Sequence, residues 1–74
     1  MSNYLKGLDA VMKARGLFSV SEISQKLGVH PTTVYRWIDA NKIEGGRAGG
    51  RRYVDLESLK EFLGEETLQA AKIY

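Results

Sequence analysis

Two short helical patterns stand about three residues apart in this 74-residue chain, and that spacing constrains the fold more than any other feature. The first begins at Ser19-Val20-Ser21-Glu22, which fits a capping box with Ser19 as N-cap and Glu22 at the third helical position. Ile23 and Leu27 then lie four apart on one face, and Gly28 ends the helix. Val29-His30-Pro31 follows at once. Proline is favoured at a first helical position because its missing N–H would be unpaired there anyway. A second helix is therefore expected from Pro31 to about Ala40, with His30 as N-cap and Val34, Trp37 and Ile38 as its apolar face. So short a turn forces a sharp angle between the two helices.

Ile23, Leu27, Val29, Val34 and Trp37 fall where such a pair must bury side chains. Ser24 is small where the second helix crosses the first, and Gly28 sits where the turn needs a left-handed backbone. With those faces buried, Pro31, Thr32, Tyr35, Arg36 and Asp39 point outward. Hydroxyls, a guanidinium and an aromatic ring suit phosphate and base-edge contacts in a major groove, which is wide enough to admit a helix. Trp37 reads as core rather than as a stacking platform. Tyr35 reads as a groove or backbone contact, or else as cover for the hairpin that follows. Thr32 and Thr33 fall in a first turn, where free N–H groups are expected to offer a phosphate site; simple helix-start preference is the other reading. His30 reads as a cap or a phosphate neighbour.

The flanks complete one domain over 1–74. Asn3 can cap a helix over 3–15, with Leu5, Leu8, Val11 and Met12 on one face and Gly16 as its stop. That helix is either core cover or a protein-contact surface, and core cover is favoured because its apolar residues would otherwise form an exposed patch. After the pair at 19–40, residues 43–54 read as strand, glycine turn and strand. Asp55 can cap a closing helix over 55–63 carrying Leu56, Leu59, Phe62 and Leu63. Residues 65–74 form a helical tail through Leu68, Ala71 and Ile73, near a chain end where fraying is common.

Composition narrows the chemistry. The chain lacks cysteine and has a single histidine, which excludes disulfides, thiolate nucleophiles, cysteine-ligated zinc and His-pair metal motifs. No cofactor and no metal are expected. The candidate acids Glu22, Asp39 and Glu44 read as cap and surface charges, and no nucleophile–base pair is visible, so an enzyme is not expected. Apolar runs are too short to cross a membrane, and Met1 to Lys13 lacks the apolar core of a signal peptide. The expected compartment is the cytoplasm.

The formal charge of +2 is mild, but its distribution is not even. Residues 30–54 carry Arg36, Lys42, Arg47, Arg51 and Arg52 against Asp39 and Glu44, whereas residues 55–74 are net acidic. A local basic face on a near-neutral chain is the footprint of a backbone-binding surface. The Gly45-Gly46-Arg47-Ala48-Gly49-Gly50-Arg51-Arg52 stretch lacks the Gly-Lys-Ser/Thr of a nucleotide loop. Gly46 to Gly49 matches the GxxG string of KH modules, but a KH loop joins two helices and this one has strand-like flanks. A disordered Arg-Gly tract would be longer. The reading kept is a hairpin tip whose glycines let the backbone approach DNA, with Arg47, Arg51 and Arg52 neutralising phosphates or one of them entering the minor groove.

Ser19 to Leu63 resembles the excisionase-type, MerR-like winged helix-turn-helix family. The carrying residues are Ser19 to Val29, then Thr33-Val34-Tyr35-Arg36-Trp37-Ile38, Lys42-Ile43, Gly49-Gly50-Arg51-Arg52-Tyr53, and Asp55-Leu56 through Leu59 to Phe62-Leu63. The fold class expected is mainly α with a small β-hairpin, a winged helix-turn-helix preceded by an extra N-terminal helix that lies outside the family's minimal pattern. The resemblance implies sequence-specific double-stranded DNA binding, with the 31–40 helix in the major groove and the hairpin as a wing on backbone or minor groove. The expected contact set is Thr32, Thr33, Tyr35, Arg36, Arg47, Arg51 and Arg52. A module this small buries only about 600–1,000 Å² on DNA, so two or more copies, self-associating on DNA, or an integrase-type protein partner are expected. The implied roles are a recombination directionality factor or a small phage, plasmid or chromosomal transcription regulator. The alternative from another class is a recruitment subunit for a terminase or recombinase, acting through protein–protein contacts.

Overall fold

The computed structural model describes the backbone of residues 2–73 and the side chains of residues 7–73. The elements run α1 (Ser2–Ala14), β1 (Leu17–Ser19), α2 (Val20–Leu27), α3 (Pro31–Asp39), β2 (Gly45–Ala48), β3 (Arg51–Asp55), α4 (Leu56–Leu63) and α5 (Glu65–Ala70). The three strands form one antiparallel sheet in the order β1-β3-β2.

Local chemistry sets most of these boundaries. Ser19 Oγ accepts the Glu22 N–H at 3.1 Å, and the Asp55 carboxylate accepts the Glu57 N–H at 3.0 Å. Each satisfies a donor that the first helical turn leaves without an intrahelical partner. Only half of the capping box forms, because the Glu22 carboxylate turns to Lys13 Nζ at 2.9 Å instead. Gly28 closes α2 at φ 72°, with Val29 N–H on the Ser24 carbonyl. Asn41, at φ 59°, closes α3 in the same way, with Lys42 N–H on the Trp37 carbonyl. The β2–β3 loop is Gly49-Gly50, and both residues have positive φ, as a tight two-residue hairpin requires.

The sheet separates two packed regions. On one side Val54 joins Val20, Ile23, Val34, Ile43 and Leu59 in the main core. Leu68 and Ile73 belong to it as well, and Lys26 Nζ holds the Lys72 carbonyl at 3.1 Å. The tail is therefore part of the domain's interior as far as Ile73. Trp37 packs against this core with its ring edge-on to Phe62, centroids 5.4 Å apart. On the other side lies Tyr53, fully buried, with α1 beside it. Its hydroxyl donates to Asp9 Oδ1 at 2.8 Å.

Several expectations need correction. The strand at Leu17–Ser19 was not expected. Three residues are too few to show a period, and only pairing with Tyr53, Val54 and Asp55 makes them a strand. Helix α1 is already under way at Ser2, so Asn3 lies within it rather than capping it. Val11 is exposed, whereas Leu8 and Met12 are half-buried. The inward place beside those two is taken by Asp9, which rotates Val11 away from the sheet. The Leu5 side chain and Tyr74 lie outside the described residues. The first wing strand begins at Gly45 rather than at Ile43, which is core. The GxxG string sits in β2 and its turn, between strands, so the KH reading falls.

Candidate nucleic-acid interface

Helix α3 buries Val34 and leaves Thr32 and Arg36 exposed, with Thr33 and Tyr35 half-buried. Its N-terminus is closed. Pro31 has no N–H, the Thr32 N–H donates to His30 Nδ1 at 3.1 Å, and the Thr33 N–H donates to the His30 carbonyl at 2.9 Å. The free N–H groups expected for a phosphate are thus already occupied. Because Nδ1 accepts, the hydrogen of the neutral ring sits on Nε2. The Thr32 hydroxyl is 3.0 Å from the same Nδ1. What Thr32 and Thr33 offer outward is side chains rather than backbone donors.

Strand pleating assigns the wing residues to faces. Arg47 stands opposite Arg52, on the face shared with Val54 and turned to the helices. Arg51 shares the Tyr53 face, turned to α1. The Arg52 guanidinium lies 5.0 Å from the centre of the Tyr35 ring, within cation–π range, and 3.8 Å from Asp39 Oδ1 at the end of α3. Arg51 Nη1 is 3.9 Å from Asp9 Oδ2. Arg47 is exposed and has no ion-pair partner among the described residues.

These groups meet in an open groove of about 340 Å³, lined by Tyr35, Arg47, Gly50, Arg51 and Arg52 and by Val20 and Ser21 of the first turn of α2. The positive end of a helix dipole thus adds to three guanidinium groups. Of the expected contact set, Tyr35, Arg47, Arg51 and Arg52 come together here. Thr32, Thr33 and Arg36 lie on α3 outside the groove. Such a concave cationic surface attracts phosphates. Among the described residues no three His, Cys, Asp or Glu side chains cluster to hold a metal. No helix among the described residues is long and apolar enough to cross a membrane.

Sequence reasoning missed Ser21, Asp9 and the role of Gly45. Ser21 was within reach, since Ser19 as N-cap places it in the first turn. Asp9 was not, because its partners Arg51 and Tyr53 are far along the chain. Gly45 lets β2 lie close: a Cβ there would stand 2.8 Å from the Tyr53 carbonyl oxygen and 3.2 Å from Ile38 Cδ1. Only a glycine lets the wing sit this near the outward helix.

A sharply joined helix pair, a three-stranded sheet and a two-residue hairpin beside the second helix define a winged helix-turn-helix. The family model described as a helix-turn-helix domain matches residues 17–67, and the chain belongs to that DNA-binding family. Comparison with curated proteins and with solved structures gave no match. The matched segment starts at β1, so α1 lies outside it.

Proposed function

We propose that this protein reads double-stranded DNA by sequence, with α3 in the major groove and the wing on the adjoining backbone or minor groove. The observation that carries the reading is the convergence of Tyr35 with Arg47, Arg51 and Arg52 on one groove beside the exposed face of α3. Arg36 and Thr32 reach base edges, and an arginine on the guanine edge is the commonest specific contact. Thr33 and Tyr35 fix the register on the sugar–phosphate chain. Arg47, Arg51 and Arg52 neutralise phosphates, contacts that carry no base readout of their own.

The biological setting we infer is that of an excisionase-like directionality factor or a small transcription regulator, supported by the resemblance of residues 19–63 to that family. Both roles use the same interface and differ in what neighbours the protein on DNA. The test is selection of sites from random duplex DNA at two salt concentrations, for the parent and for Arg36→Ala. A short enriched motif whose preference flattens at one position in Arg36→Ala is the expected result. Binding without any enriched motif would refute sequence reading and leave α3 a generic phosphate contact.

A further inference from the structure

Two of the three wing arginines face carboxylates of their own chain. Arg51 faces Asp9 on α1, and Arg52 faces Asp39 on α3. Both acids come from outside the wing, one from the helix beyond the family match and one from the outward helix. Neither is needed as a helix cap. Asp39 is an unfavourable choice where it stands, since it is the last residue of α3 and an acid there opposes the helix dipole. Its side chain is 72% exposed, so it is not a packing element either. Its one described polar partner is the Arg52 guanidinium.

We infer that Asp9 and Asp39 are specificity-determining residues, which act as internal competitors of the DNA phosphate at Arg51 and Arg52. The inference rests on the DNA-binding reading above. In the free protein the wing then presents one uncompensated guanidinium, that of Arg47, instead of three. A random duplex gains little from the wing, because a paired arginine does not displace condensed cations as a free one does. The pairs are long, at 3.8 and 3.9 Å, and partly exposed. Ion pairs of this kind are weak enough for a phosphate held in place by base contacts to displace the carboxylate. The carboxylates thereby lower binding everywhere except where α3 fits its site, which is discrimination by repulsion of the wrong partner.

The test uses the full chain and a short duplex of mixed sequence, with affinity measured between ~50 and ~200 mM salt. Asp39→Asn and Asp9→Asn each remove a charge while keeping the shape; in Asp9→Asn the new side-chain amide oxygen still accepts from the Tyr53 hydroxyl. Each variant is expected to bind this duplex more tightly, by up to about eightfold at ~0.1 M salt, and to steepen the log–log salt slope by up to about 0.9. Glu66→Gln on α5, outside the groove, removes the same charge and is expected to leave the slope unchanged. In an Arg52→Ala background Asp39→Asn is expected to bring no gain, and likewise Asp9→Asn with Arg51→Ala. A parent protein that does not bind duplex DNA at the lowest salt overturns the DNA-binding reading and this inference with it. A parent that binds, with Asp variants matching it or with gains that persist in the arginine-free backgrounds, overturns this inference alone. Asp39 is exposed enough that its variant keeps the fold, so the result does not hinge on Asp9.

Discussion

Replacing Gly45 with alanine puts one methyl group where the fold has no room for it. The new carbon would stand 2.8 Å from the Tyr53 carbonyl oxygen, a backbone atom in the central strand, and ordinary contact begins near 3.4 Å. The strand must therefore back away by roughly half an ångström, because the nearest atom is a backbone carbonyl of the central strand and not the free end of a side chain. Overpacking of this kind costs ~1–3 kcal/mol. Alanine restricts the unfolded chain and returns ~0.4–1 kcal/mol. The net loss is about 1–2 kcal/mol, which for a domain this size lowers the melting temperature by roughly 4–16 °C. The neighbouring glycine supplies the control. A Cβ on Gly46 meets nothing within 4 Å, so Gly46→Ala is expected to melt at or slightly above the parent. Thermal unfolding of both variants followed by circular dichroism measures the difference. Equal melting temperatures for the two would refute the claim that Gly45 sets the spacing between wing and α3.

Tyr53→Phe removes the hydroxyl that Asp9 accepts at 2.8 Å, and a hydrogen bond to a charged acceptor contributes ~1.5–3 kcal/mol. Denaturant titration should show a loss near the lower end of that range, with amide exchange in α1 rising most; an unchanged midpoint would mean that this bond does not fasten α1. Leu68→Ala empties a fully buried site in the tail and should cost ~2–5 kcal/mol, a large part of the ~4–11 kcal/mol available to a domain this long. A near-parental denaturation midpoint would show that the tail is only an appendage.

The sequence was most legible where a residue acts on its close neighbours. Ser19, His30 and Asp55 as caps, Gly28 as a stop and Gly49-Gly50 as a turn are all effects within a few residues, and each stands in the structure. The core face of α2 and α3 followed from helical spacing. Illegible were the pairings that close large loops. Leu17–Ser19 becomes a strand only through β3, and Asp9 becomes a fastening only once Tyr53 and Arg51 arrive beside it. The N-terminus of α3 was misjudged for a local reason. His30 was read as a cap, yet its consequence, that the N–H groups of Thr32 and Thr33 are already taken and Pro31 has none, was not followed through.

The pairing of β1 with β3 also governs how the molecule comes apart. Leu17 lies across from Asp55, and the Leu56 N–H holds the Gly16 carbonyl at 2.9 Å, so the whole stretch between them is a loop laced shut at its mouth. Both helices of the pair and the hairpin hang inside that loop. Unlacing it uncovers Val54, the strand residue against which the helices pack. Opening of α3 would expose Val34, a fully buried member of the core that Val54 shares, so local melting of that helix costs apolar burial as well as its own hydrogen bonds. Whatever α3 contacts, it meets with a face anchored through Val34 in the main core.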